Sequence, residues 1–171
     1  EAYPTLAFSG GGRCGLGGYY PNAGHTGYKD ASALGGSSNG VDIADIDADG
    51  YLDVAVAAGN SVTVYWGDSS GRWTTSSSTT SLSAGSATRV KAGDLNGDGY
   101  LDIAVAAYSW SGSADSVAFL NTGGRSFSST PDMRLTGGEY TSCQVGDVDN
   151  DGYDDVVFAM GASGHTNEIK I

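Results

Sequence analysis

Three short apolar runs stand out in an otherwise polar, glycine-dense chain. They are Val54-Ala55-Val56-Ala57-Ala58, Ile103-Ala104-Val105-Ala106-Ala107 and Val156-Val157-Phe158-Ala159. None shows the polar residue at every second position that marks a strand with one wet face. Each is also too short for a helix, and each ends on Gly59, on Tyr108-Ser109 or on Gly161. Runs of this kind predict strands buried on both faces.

The same pattern divides the chain into units. Residues 1–39 form a glycine-rich segment in which Pro4 to Phe8 is the predicted strand, with a closing or donor role. Three repeats follow at about 40–83, 84–137 and 138–171, the last incomplete. Ala87 to Ala92 and Thr141 to Val145 are predicted inner strands of the second and third repeats. The Ser/Thr-rich stretch from Thr74 to Ser83 reads as an outer edge strand, with O-glycosylation as the alternative.

An acidic loop precedes each apolar run. The loops read Asp45-x-Asp47-x-Asp49-Gly50, Asp94-x-Asn96-x-Asp98-Gly99 and Asp147-x-Asp149-x-Asp151-Gly152. Asp53, Asp102 and Asp155 follow at the ninth loop position. Hard oxygen donors at alternate positions, with glycine at the sharp turn, suit Ca²⁺. Positions one, three, five and nine would offer side-chain oxygens, and Tyr51, Tyr100 and Tyr153 their backbone carbonyls. The EF-hand reading fails, because its twelfth-position glutamate is replaced by Val56, Val105 and Phe158 and no helix flanks the loops. Asx-rich sequences also make turns without metal, but three copies in register, each crowding carboxylates together, favour an ion. Asn96 lowers the charge of the middle loop, which is expected to bind Ca²⁺ more weakly than the other two.

Asp-x-Asp/Asn-x-Asp-Gly-Tyr-x-Asp before an apolar strand resembles the FG-GAP/VCBS repeats of integrin α-subunit β-propellers and related secreted propellers. Val64-Tyr65-Trp66-Gly67-Asp68 with Gly71-Arg72-Trp73, and Phe119 to Phe127, look like the strand, glycine turn and aromatic of that family. The resemblance covers residues 40 to 171. It implies an all-β fold of propeller-like blades, each of four antiparallel strands, with Ca²⁺-binding loops that brace the structure. Propellers close with about 4–8 blades, so three repeats are too few to form a ring alone. The chain is therefore expected to be part of a longer propeller or to self-associate, by blade completion or by strand donation.

Composition adds constraints. The 171 residues carry 20 acidic and 8 basic side chains, a net charge of −12. The loops hold more than half of the acids, so the acidity is largely a metal signature, and three divalent ions would offset half of it. With no basic patch, nucleic acid is excluded as an expected partner. No stretch approaches the ~20 apolar residues of a membrane span. The two cysteines, Cys14 and Cys143, read as one disulfide, with a pair of core thiols as the alternative. Calcium and oxidising conditions together place the chain outside the cell, and a start at Glu1 reads as a processed product.

No enzyme is expected. His25 and His165 both sit in Gly-His-Thr turns, and the Gly10 to Gly18 glycines lack the strand and helix of a phosphate loop. An adhesion or recognition module for a protein or glycan ligand is the leading expectation, lectin-like in its use of aromatics. Trp110, in the loop after the second apolar run, is the expected contact, whereas Trp66 and Trp73 read as packing residues. The alternative is a structural subunit of an extracellular fibre or surface layer.

Overall fold

The computed structural model describes residues 6–8, 15–21, 28–70, 73, 77–109, 114–136, 140–160 and 169–170. Every regular element among them is a strand. The strands form four antiparallel sheets in chain order, each a meander in which a strand pairs with its sequence neighbour. The first sheet holds β1 (Leu6–Phe8), β2 (Gly15–Pro21) and β3 (Tyr28–Ser37). The second holds β4 (Gly40–Ala44), β5 (Asp53–Ala58), β6 (Ser61–Tyr65) and β7 (Thr79–Ser83). The third holds β8 (Ala87–Gly93), β9 (Asp102–Ala107), β10 (Ser116–Phe119) and β11 (Met133–Leu135). The last holds β12 (Tyr140–Gly146), β13 (Asp155–Met160) and β14 (Ile169–Lys170).

The glycine-rich segment carries more than the one strand its pattern predicts. β1 pairs with β2, Leu6 opposite Tyr19 and Phe8 opposite Gly17, rather than with the sheet of the third repeat. β2 then pairs with β3 through a register shift between Gly15 and Gly17. A strand built from Gly15, Gly17 and Gly18 has no apolar run to announce it, which is why the pattern misses it.

The apolar runs become β5, β9 and β13, each second in its sheet and hydrogen-bonded on both edges. In β5 the two faces serve different clusters. Ala55 and Ala57 join a core with Val62, Val64, Trp66, Val90, Ile103, Val105 and Phe119 that fills the space between the two four-stranded sheets. Val54 and Val56 turn the other way and pack with Trp73, Val41 and Ile43. β9 divides likewise, Ala106 joining Tyr140, Cys143 and Phe158 of the next sheet. Successive side chains on opposite faces are how a period-two strand fills both sides.

Strand β8 lies between β4 and β12 and touches both. Lys91 Nζ meets Asp42 Oδ1 at 2.8 Å, and Ala92 N–H donates to Asp42 Oδ2 at 2.9 Å, tying β8 to β4. Thr88 Oγ1 donates to the Tyr140 carbonyl at 3.1 Å, tying β8 to β12. The first strands of three successive sheets thus sit side by side, as the inner strands of propeller blades do. Trp66 and Trp73 are buried, their indole N–H groups bonded to Thr80 Oγ1 and the Leu52 carbonyl, each at 3.1 Å.

Candidate metal loops

Each acidic loop joins the first strand of its sheet to the second: β4 to β5, β8 to β9 and β12 to β13. All three share one backbone. The sixth-position glycines have φ of 89° at Gly50, 88° at Gly99 and 94° at Gly152, a region closed to residues with a Cβ. The fourth position is also left-handed, with φ of 59° at Ala48, 73° at Gly97 and 63° at Asn150. The fourth-position constraint is not evident from the aspartate spacing, although glycine and asparagine are the residues that tolerate it best.

One hydrogen-bond network repeats in all three. The first-position carboxylate accepts two backbone N–H groups, from positions five and six: Asp49 at 3.0 Å and Gly50 at 2.9 Å on Asp45. Asp98 and Gly99 bond Asp94 at 3.1 and 2.9 Å, and Asp151 and Gly152 bond Asp147, both at 3.1 Å. The third-position Oδ1 accepts the fifth-position N–H at 3.2, 3.0 and 3.1 Å in Asp47, Asn96 and Asp149. The fifth-position Oδ1 accepts the tyrosine N–H at 2.9 Å in Asp49, Asp98 and Asp151. These Asx bonds curl the chain until the side chains converge.

Carboxylate oxygens of Asp45, Asp47 and Asp49 lie within 4.8 Å of one another, as do those of Asp147, Asp149 and Asp151. Two ligands of one Ca²⁺, each 2.3–2.6 Å from it, can be up to about 5 Å apart. The first and third loops therefore fit a hard divalent cation by donor chemistry and by spacing. In the middle loop the Asn96 amide donates to Asp98 Oδ2 at 3.0 Å.

The ninth-position aspartates stand apart from these clusters and carry a second task. Asp53 accepts Ile46 N–H on one oxygen and Gly67 N–H on the other, both at 2.7 Å. Asp102 does the same for Leu95 at 2.9 Å and Asn121 at 2.7 Å. Each carboxylate thereby staples its loop to the end of the third strand of its own sheet. Both side chains are fully buried. Burial pushes the two carboxyls above the usual carboxylate range, with the N–H donors opposing it. Asp155 bonds Val148 N–H at 3.0 Å and is only half-buried.

Neighbouring sheets reach across to the loops through residues the sequence did not single out. Asn121, at the end of β10, is fully buried and donates from Nδ2 to the Ile46 carbonyl in the first loop at 3.0 Å. Arg125 follows on the same turn. Its Nε meets Asp47 Oδ2 at 2.5 Å, its Nη2 meets Asp49 Oδ2 at 3.2 Å, and its guanidinium carbon lies 5.1 Å from the centre of the Trp66 ring. The Asp47 hydrogen bond is the main cause holding this guanidinium above its ordinary pKa. Asp154 clips the middle loop to the last sheet: Asp94 N–H donates to Asp154 Oδ2, and Asp154 N–H to the Asp94 carbonyl, both at 2.9 Å. No spacing rule marks these residues, because their partners lie in another repeat.

Cys143 is a buried free thiol on β12, pushed up to about 11 chiefly by burial. Cys14, its predicted partner, lies outside the described residues, and so does Trp110.

No curated protein matches the chain. Residues 45–105, from the first aspartate of the first loop to the fourth residue of β9, match the family described as FG-GAP-like repeat. That stretch, about a third of the chain, is similar to the FG-GAP-like repeat.

Proposed function

We propose that the chain is a calcium-braced, non-catalytic module of the β-propeller type that works outside the cell and presents its loops to a protein or glycan ligand. The observation that carries this reading is the common geometry of the three acidic loops. Each is bent by the same two left-handed positions and bonded in the same way, and in the first and third loops the carboxylate oxygens gather within 4.8 Å. Bound Ca²⁺ would supply positive charge to the clustered carboxylates, which in the first loop have only Arg125 beside them among the described residues. Asp45, Asp47, Asp49 and Tyr51 would hold it in the first loop; Asp94, Asn96, Asp98 and Tyr100 in the second; Asp147, Asp149, Asp151 and Tyr153 in the third. Asp53, Asp102 and Asp155 lock each loop to its sheet from behind.

Trp66 and Trp73 are spent on the core, whereas Tyr51, Tyr100 and Tyr153 offer exposed aromatic surface, and Trp110 is the tryptophan we assign to ligand contact. Extracellular work agrees with the repeat family. Glycan and extracellular-matrix arrays, probed with Ca²⁺ and with chelator, test the reading. Calcium-dependent capture that Trp110→Ala weakens, with an unchanged melting temperature, is the expected result. A Trp110→Ala chain that binds as before would remove this residue from the contact.

A second reading, self-assembly, is favoured by one comparison. Ile46 at the second loop position is 1% exposed under the neighbouring sheet, whereas its counterpart Val148 is 52% exposed. β13 is likewise less buried than β5 and β9. A further sheet over Val148, from another copy or from more of the same polypeptide, would complete the pattern. Native mass spectrometry in Ca²⁺ separates monomer from assembly.

A further inference from the structure

We propose that Arg125 is a built-in competitor for the metal of the first loop, and that it sets the calcium affinity of that loop below what its carboxylates alone would give. The inference rests on the calcium reading above and adds to it a residue from a different repeat.

In the first loop Asp45 uses both oxygens on backbone N–H groups, and Asp47 and Asp49 each use Oδ1 in the same way. Asp47 Oδ2 and Asp49 Oδ2 are the oxygens these loop bonds leave open. Arg125 bonds both, from Nε and Nη2 of one guanidinium. A fork of this kind matches paired carboxylates as a divalent ion does, but with a single charge and at longer range. In the third loop the corresponding Asp149 and Asp151 have no cationic partner among the described residues. Charge count alone would rank the first and third loops together, above the middle loop with Asn96. Arg125 breaks that tie.

The guanidinium is held in place rather than swinging freely. It stacks on Trp66, which is buried and itself lies against Phe127 at 6.4 Å between ring centres. Asn121 anchors the other end of the same turn to the Ile46 carbonyl. The turn between β10 and β11 is thus fixed over the first loop before any ion arrives. An ion sharing those oxygens would lie within about 5 Å of the guanidinium, and like charges at that distance repel unless one withdraws. Metal entry at the first loop therefore displaces Arg125 from the carboxylates, and by linkage the ion loosens this latch as much as the latch weakens the ion.

The test is a Ca²⁺ titration of ¹⁵N-labelled chain, following the amide signals of Gly50, Gly99 and Gly152, each of which reports its own loop. Wild type, Arg125→Gln and Arg125→Lys are compared. Arg125 is 40% exposed, so neither substitution opens a core cavity. In Arg125→Gln the Gly50 midpoint should fall about three- to tenfold, the range for loss of an exposed to half-buried charge pair. The Gly152 midpoint should stay where it was, and Arg125→Lys should lie between. A Gly50 midpoint that is unchanged or higher in Arg125→Gln would overturn the proposal while leaving the calcium reading intact. If none of the three glycines responds to Ca²⁺, the calcium reading itself fails.

Discussion

Asn121 donates its backbone N–H to the buried carboxylate of Asp102 at 2.7 Å, and its side-chain amide to the Ile46 carbonyl of another repeat at 3.0 Å. One residue thereby links the staple of its own sheet to the loop of the preceding one. Asp102 is the acceptor this arrangement cannot lose. In Asp102→Asn one oxygen becomes an NH₂ group, which leaves either Leu95 N–H or Asn121 N–H facing a donor. Leaving such a buried group unpaired costs about 1–3 kcal/mol. Urea denaturation of the variant should show that loss with Ca²⁺ present and again with chelator present. A loss confined to the calcium-loaded protein would mark Asp102 as a ligand only.

Removing the ion should lower stability across the whole chain. A site saturated at a hundred times its dissociation constant contributes about 2.7 kcal/mol. Calorimetric melting with and without chelator measures the sum, and an identical melting temperature in both would remove calcium from the account.

Ala48 stands in the left-handed region at φ 59°, where the other loops have Gly97 and Asn150. An alanine there carries strain of about 1–2 kcal/mol. Ala48→Asn should therefore raise the chain's stability by up to about 1 kcal/mol, read as a shift of the urea midpoint. The reverse exchange is worse than neutral at Gly97, where an added Cβ would fall 2.6 Å from the Tyr153 ring. Gly97→Ala should destabilise, and destabilise less in a Tyr153→Ala background.

Cys143 should behave as an inert thiol. It is buried, and burial pushes it up to about 11, so little thiolate forms near neutral pH. Reduced, folded protein treated with iodoacetamide at pH 8 should keep Cys143 unmodified by mass spectrometry, and urea should expose it to complete alkylation.

Local signals in this sequence are legible because they act over a few residues. Valine and alanine runs announce β5, β9 and β13, and alternate aspartates announce the loops, since both depend on the period of the chain itself. The double role of Asp53 and Asp102 is half legible: their spacing marks the loop, but Gly67 and Asn121 come to them through the sheet fold. Arg125 and Asp154 carry no signal, because a contact between repeats has no fixed sequence distance. β2 escaped for the opposite reason: its glycines lack the apolar side chains by which a buried strand is recognised.

The meander order of the sheets has a kinetic consequence. Within each sheet every strand pairs with the next one in sequence, so pairing inside a sheet closes shorter loops than docking between sheets does. Contacts such as Asn121 to Ile46 span two repeats and can form only when finished sheets meet. The chain should thus refold in two stages, fast within sheets and slower at their docking. Substitutions at the interface between sheets would then speed unfolding more than they slow the first stage.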